Sequence, residues 1–548
     1  MIEMTLREIA EVVGGTLHDV ADPEVRVTGS VEFDSRRIGS GDLFLALPGE
    51  RSDGHDYADA AIAAGAVAVL AARPVGVPAI VVTPSRGAVP SSSVALSHDS
   101  DGSGAAVLTA LAALARASVS RLAVDGGLTV VGVTGSSGKT STKDLLAAVL
   151  APLGTVVAPP GSFNNELGHP WTALRADADT RFLVLELSAR GPGHIAALAE
   201  VAPPSIGVVL NVGTAHLGEF GSREAIAKTK GELVEALPPT GLAVLNADDP
   251  QVAAMAARTS ARVVSVGQAA NAEIRATDIR LDDQARAAFT VHTPEGSAPV
   301  QLAVHGEHQV GNALSAIAVA LACGADLETV TAALSGARAA SARRMDVRTT
   351  TDGITVVNDS YNANPDSVRA ALKALVSMAR AGRTPRRSWA VLGEMAELGA
   401  ESVIEHDAIG RLAVRLDVSR VVVVGTGRPA RALHQGAVME GSWGEESILV
   451  PDIEAAIALL DKDLAPGDVV LVKASKSVGL WEVAEHLTDP DAGGARGRGR
   501  GPPGGGGGGG GRGAGGGWAG VPLWGGPGGR GRRLPTGRGG RPHRHIVK

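Results

Sequence analysis

The chain has one cysteine, Cys323, among 548 residues. A lone thiol forms no internal disulfide, which fits a reducing compartment. Its setting, A-V-A-L-A-C-G-A, is expected to be a helix interior, where it serves as a small buried hydrophobe and not as a catalytic thiol. The opening M-I-E-M-T-L-R-E-I-A carries acids and no apolar core segment, so no signal peptide is expected. No uncharged apolar run reaches bilayer-spanning length; the longest, near 105–115 and 313–323, have the size of core helices. A cytoplasmic protein without membrane insertion is the expectation.

Basic charge is also scarce outside one region. The formal net charge of −7 hides an asymmetry: residues 492–548 carry ten Arg, one Lys and no acid, leaving the rest at −18. That acidic body offers no basic patch for nucleic acid, and no nucleic-acid partner is expected. The tail, with 26 glycines in 57 residues, has too few apolar groups to offset the entropy of ordering and is expected to be disordered. Its aromatics, Trp518 and Trp524, are not interleaved with its arginines as in an RNA-binding segment, and no function is assigned to it.

What is present points to a large enzyme. At 44% hydrophobic and 20% charged, the chain is long enough for three domains with proper cores. The most informative stretch is V-V-G-V-T-G-S-S-G-K-T-S-T over 130–142, an apolar strand running into a glycine-rich turn. Gly135 and Gly138 let the backbone curl so that N–H groups of Gly135, Ser136, Ser137, Gly138, Lys139, Thr140 and Ser141 can face phosphate oxygens, helped by the following helix N-terminus. Lys139 supplies a charge for the β- and γ-phosphates, and the Thr140 hydroxyl a Mg²⁺ ligand. The first glycine of the general P-loop pattern is replaced by Val133. A guanine-reading N-K-x-D is missing, which excludes a regulatory GTPase.

Strands read at 182–187, 206–210 and 242–245 alternate with helical segments, the signature of a largely parallel sheet. A second set at 355–357, 389–392, 421–424 and 469–472 repeats the pattern and argues for another α/β domain of nucleotide-fold character. The expected fold class is α/β in three domains: 1–104 with a linker at 84–104, a central P-loop domain at 105–340 with a mostly parallel sheet, and a Rossmann-like domain at 341–488. The tail occupies 489–548.

Several blocks agree in order with one family. They are D-S-R at 34–36 with G-D-L-F and D-G-H-D-Y, the loop T-G-S-S-G-K-T-S, F-N-N-E-L-G-H-P at 163–170, and G-T-A-H-L-G-E-F-G-S with I-A-K-T-K-G-E-L. L-N-A-D-D-P at 245–250, G-N-A-L-S-A at 311–316, N-D-S-Y-N-A-N-P-D-S at 358–367 and V-L-G-E-M-A-E-L-G at 391–399 follow. From residue 1 to about 487 the chain resembles the Mur ligases, in which the P-loop variant without its first glycine is the usual form. Within the family it is similar to the type that adds D-alanyl-D-alanine to a UDP-N-acetylmuramoyl tripeptide. The D-N-P-R and D-Y-A-H-x-P signatures of the diamino-acid-adding type do not occur, and a folate-polyglutamylating ligase would lack the N-terminal block.

The resemblance implies phosphoryl transfer from ATP to a carboxylate, followed by attack of an amine on the acyl phosphate. It implies a first Mg²⁺ held by Thr140 and Glu186, at the end of the strand F-L-V-L-E, and a second near His216. It implies that Lys230 reacts with CO₂ to a carbamate, turning a cation into an anionic ligand. Lys228 would point to another helix face. Asn312 would meet adenine, and Arg344 and Asp359 the γ-phosphate and ribose; the sequence leaves Arg343 and Arg344 interchangeable. Asp34, Ser35 and Arg36 would hold the UDP-sugar, with Asn164, Asn165, Tyr361, Asn362 and Asn364 near substrate. A monomer is expected, and closure of the C-terminal domain belongs to the expected mechanism.

Overall fold

The computed structural model describes residues 1–49, 52–84, 99–159, 161–214, 217–382, 384–441 and 446–489. The tail beyond Asp489, most of the expected linker at 84–104, and His216 lie outside them.

Three α/β layers succeed one another along the chain. The N-terminal one holds a five-stranded sheet in the order Thr16–His18, Ala79–Val81, Ala68–Ala71, Leu43–Leu45, Val31–Glu32, parallel except for its first strand. The central sheet has nine strands. From one edge the order is Gly296–His305, Arg286–Thr293, Ile274–Leu281, Arg262–Gly267, Leu242–Asn246, Ile206–Val209, Thr129–Thr134, Thr180–Glu186, Thr155–Val157. Only the hairpin-linked strands at 274–305 pair antiparallel. The C-terminal sheet orders Asp346–Thr349, Thr355–Asn358, Val469–Lys473, Ser388–Leu392, Arg420–Val424, Ser447–Val450, parallel but for the first. The α/β architecture with mostly parallel sheets is therefore as expected, and most of the expected strands extend by one or two residues beyond the read apolar runs.

The strand Thr129–Thr134 explains the position of the site. Covered on both faces, it reads as an unbroken apolar run and not as an alternation. Val131 and Val133 face a core shared with Leu145, Leu146 and Ile317 of the helices Lys139–Leu150 and Gln309–Ala322. Val130 faces the opposite core with Leu183, Leu185 and Leu233. The chain next forms a strand two places away on one side, then fills the gap with Thr180–Glu186, then crosses to Ile206–Val209 on the other side. Such a reversal of strand order opens a crevice at the carboxyl ends of the strands.

The helix Ser103–Asp125 is longer than the apolar run read at 105–115, and by length and mean hydropathy of 1.5 it could cross a membrane. Val107, Leu111, Leu114, Val119 and Leu122 are instead buried in the core that joins the N-terminal and central layers. Arg116, which interrupts the apolar run, is exposed.

Cys323 corrects the sequence expectation. The helix Gln309–Ala322 ends just before it, and its N–H closes the last turn onto the carbonyls of Val319 and Ala320 at 3.0 and 3.1 Å. It is partly buried at the helix end, not interior. Burial pushes its thiol up to about 11, so it stays protonated at neutral pH, as an inert residue should.

Candidate active site

The turn after Thr129–Thr134 wraps back on itself before the helix Lys139–Leu150 begins. Gly138 has φ +85°, and a Cβ there would stand 2.7 Å from Oδ1 of Asn312. Glycine is required on both counts, for the left-handed backbone and for the close approach of Asn312. Asn211, just past the strand Ile206–Val209, clamps the turn: its Oδ1 accepts from Ser137 N–H at 3.0 Å and its Nδ2 donates to Ser137 O at 3.1 Å. Ser136 Oγ accepts from Gly213 N–H at 2.9 Å. The cradle is thus held by the neighbouring strand end, not by its own sequence alone.

Lys139 folds back to donate to Gly135 O at 2.6 Å. Desolvation lowers its ammonium to about 8; Glu186 opposes the shift and Arg344 adds to it. Thr140 is buried and donates to Glu186 Oε2 at 3.1 Å. The same oxygen accepts from Ser162 Oγ at 3.0 Å and Asn164 Nδ2 at 3.4 Å. Glu186 Oε1 is buried without a partner. A buried carboxylate oxygen with no donor costs about 1–3 kcal/mol or more, and a divalent cation removes that cost. With the Thr140 hydroxyl beside it, an all-oxygen donor set of this kind suits Mg²⁺.

Lys230 ends the helix Arg223–Lys230 and is 7% exposed, whereas Lys228 two residues earlier is exposed. Among the described residues its ammonium has no hydrogen-bond or ion-pair partner. Burial, reinforced by the charge of Lys139, lowers it well below the usual lysine value. A neutral amine in such a place is the form that attacks CO₂.

A cavity of about 1130 Å³ joins the P-loop, Asn164 and Glu186 to the C-terminal domain, and Lys230 is not among its lining residues. Its lining includes Ser136 to Ser141, Asn164, Asn165, Glu186, Asn312, Arg344, Asp359, Tyr361, Asn362 and Asn364. Asp34, Ser35 and Arg36 do not line it. They form a short 3₁₀ turn on the N-terminal domain, where Arg36 donates to Asp34 and holds that carboxyl down to about 2.

The two arginines are separated by their surroundings. Arg343 turns away, with φ +60°, pairing with Glu485 at 2.7 Å and lying 4.5 Å from the Trp481 ring centroid. Arg344 stacks 4.2 Å over Tyr361, with its Nε buried and unpartnered, inside the main cavity. Asp359 is engaged by the chain itself, accepting from Met345 N–H at 3.1 Å and from the buried Lys473 at 2.6 Å. Asn364 caps the helix Pro365–Arg380 through Ser367 N–H, and its Nδ2 donates across to Ser136 O at 3.3 Å. Asn165 exposes its side chain and caps Gly168 N–H at 2.9 Å.

Asn211, Ser162 and Lys473 were not found from sequence. Lys473 ends the apolar strand V-V-L-V-K, so the strand-end rule that singles out Glu186 applies to it as well. Ser162 and Asn211 had no such signal, since their partners lie 24 and 74 residues away.

The C-terminal domain is seated on the loop. Besides Asn364, Thr214 N–H donates to Asp366 Oδ2 at 3.0 Å, Gly218 N–H to Glu397 O at 3.3 Å, and Arg190 pairs with Glu397 at 3.1 Å. A P-loop at the switch point of a parallel sheet, roofed by a second α/β domain carrying an arginine, defines a multidomain nucleotide-dependent enzyme. Residues 28–117 match the Mur ligase family catalytic domain, 133–320 the Mur ligase middle domain, and 343–476 the Mur ligase glutamate ligase domain. The chain belongs to the Mur ligase family.

Among its relatives is the UDP-N-acetylmuramoyl-tripeptide--D-alanyl-D-alanine ligase of Mycobacterium tuberculosis strain H37Rv, 61% identical over 509 residues, covering 90% of this chain and 99% of the relative. The enzyme of the same description from Escherichia coli K12 is 33% identical, covering 89% and 99%. Similar solved structures include MurF from Acinetobacter baumannii, with TM-score 0.75, 30% identity, and 89% and 99% of the two chains covered. A MurF ligase from Thermotoga maritima in complex with ADP has TM-score 0.68 at 30% identity, covering 85% and 98%.

Proposed function

We propose that this chain joins D-alanyl-D-alanine to UDP-N-acetylmuramoyl tripeptide at the expense of ATP, completing the cytoplasmic muramoyl pentapeptide for peptidoglycan. The observation that carries the mechanism is the convergence, round one cavity, of a phosphate cradle, the unpartnered oxygen of Glu186 and Arg344 from the roofing domain. The tripeptide carboxylate attacks the γ-phosphorus of ATP, forming an acyl phosphate and releasing ADP. The dipeptide amine then adds to the acyl carbon; the C–N bond forms, the C–O bond to phosphate breaks, and the amine proton is lost. Both steps demand neutralised charge and alignment more than covalent help from the protein.

The roles come from the family resemblance, and the positions of the cavity-lining groups support them. Gly135 to Ser141 present N–H groups and Lys139 a cation to the phosphates, while Arg344 brings a second cation from the other domain. Asn312, held against Gly138, meets the adenine, and Asp359, fixed by Lys473, faces the ribose. Thr140 and Glu186 would hold one Mg²⁺, with His216 and the Lys230 carbamate contributing to a second; bound there, Mg²⁺ supplies positive charge where the transferring phosphoryl group needs it. Burial and the lack of a partner among the described residues support Lys230 as the residue that takes up CO₂. The UDP-sugar falls to the N-terminal domain with Asp34, Ser35 and Arg36, and the acceptor peptide to Asn164, Asn165, Tyr361, Asn362 and Asn364. One chain supplies every group, so a monomer suffices.

Phosphate release with UDP-muramoyl tripeptide, ATP and Mg²⁺ is expected to require D-alanyl-D-alanine. Turnover without the dipeptide, or preference for diaminopimelate or lysine as the amine, overturns the assignment.

A further inference from the structure

A ring of hydrogen bonds, closed through short stretches of backbone, runs beneath the cavity and connects four segments of the chain. It starts one turn after Thr140, at Asp144 on the helix Lys139–Leu150. Asp144 Oδ2 accepts from Ser341 N–H at 3.0 Å, and Oδ1 from Ser341 Oγ at 3.2 Å, across 197 residues of chain. Lys143 neutralises the carboxylate at 2.9 Å and also donates to Pro159 O at 2.6 Å. Ser341 Oγ accepts from Gly161 N–H at 3.1 Å. The next residue, Ser162, donates to Glu186 Oε2, where Thr140 closes the ring. Lys143 and Ser341 are each 3% exposed and Asp144 9%.

Ser341 precedes Arg343 and Arg344 in the connection by which the chain passes from the central to the C-terminal domain. Its hydroxyl is used as donor and acceptor at once, so it cannot move without releasing either Asp144 or the loop that carries Ser162. A buried polar network of this kind has one satisfied arrangement and penalises the others. We propose that Ser341, anchored by Asp144, is a positioning residue that couples the setting of the interdomain connection to the geometry of Glu186. The seat of the C-terminal domain and the carboxylate of the cation site are then set by one network. Ser162 is the last link and Asp144 the fixed end.

The inference rests on Glu186 as the cation's carboxylate, and the test separates the two. ADP binding is measured calorimetrically with Mg²⁺ and with EDTA for the full chain and for Ser341→Ala, Ser162→Ala and the double variant, each checked for an unchanged melting temperature. Each single substitution is expected to weaken Mg²⁺–ADP binding by about tenfold, the size of one buried hydrogen bond, while metal-free ADP binding stays within about twofold. The double variant is expected to lose no more than either single one, because both cut the same path. Unchanged Mg²⁺–ADP affinity in Ser341→Ala, equal losses with and without metal, or additive losses in the double variant overturn the coupling. Should Ser341→Ala fold poorly, Asp144→Asn, at a residue that makes no hydrogen bond to Glu186, takes its place: a metal-dependent loss supports the path, and none overturns it. If the unsubstituted chain shows no Mg²⁺-dependent component, or Glu186→Gln keeps it, the assignment of Glu186 fails instead.

Discussion

Lys230 is the residue whose surroundings say most about its chemistry. Desolvation lowers the buried Lys230 ammonium well below the usual lysine value, which favours the neutral amine, and a neutral amine can add to CO₂ with loss of a proton. Lys230→Ala is expected to abolish turnover, with partial rescue by short carboxylates and none by bicarbonate; in the unsubstituted enzyme ¹³C-bicarbonate should give a carbamate carbon signal that the variant lacks. Full activity in Lys230→Ala sinks the carbamate. Lys139 titrates within reach of ordinary buffers. With its free-enzyme value lowered to about 8, it is mostly charged at pH 7 and mostly neutral at pH 9. An anionic phosphate binds the charged form, so metal-free ADP affinity should weaken above pH 8 by up to about tenfold per pH unit, with proton uptake on binding near that pH. Calorimetry in buffers of different ionisation enthalpy reads both; a flat affinity from pH 7 to 9.5 contradicts the lowered lysine.

At the scale of elements, one contact between domains is made where two glycines meet. A Cβ on Gly218, in the short helix Leu217–Phe220, would stand 2.5 Å from the backbone N of Gly399 on the C-terminal domain. Gly399 itself has φ +56° and would press its own Cβ to 2.6 Å from Gly218 Cα. Gly218→Ala is therefore expected to fold normally yet hold the domains apart, lowering kcat by about 10–100-fold through misplacement of Arg344. A melting temperature within error of the parent with an unchanged kcat refutes this. The same scale shows what was legible beforehand. The P-loop, Glu186 and the strand positions were readable because their signals are contiguous: apolar runs, a glycine turn, an acid at a strand end; the strand order was not. The family resemblance pointed to Lys230, helical spacing set Lys228 on another face, and the two lysines are oppositely buried. Asn211, Ser162, Lys473 and the Asp144–Ser341 pair were hidden, since each matters only through a partner brought close by the finished fold. Cys323 was misplaced because the apolar pattern continues for one residue past the point where Gly324, with φ +92°, ends the helix.

For the whole molecule, every described group assigned to the cavity lies before residue 482, and the three family matches end by residue 476. The relative from Mycobacterium tuberculosis is covered over 99% of its length by 90% of this chain, so the family's activity needs no counterpart of the remainder. The arginine-rich segment from 492 also carries charge opposite to that of the body, and its attraction to polyanions would be salt-dependent and independent of the nucleotide site. The helix Trp481–Thr488, the last among the described residues, buries Val483, Ala484 and Leu487 and must be kept. A chain ending at Asp489 should retain the kcat, the KM for each substrate and the melting temperature of the full chain, while losing any retention on a phosphate-rich resin at low salt. A more than about threefold fall in kcat/KM, roughly 0.7 kcal/mol of transition-state stabilisation, would place part of the site beyond residue 489.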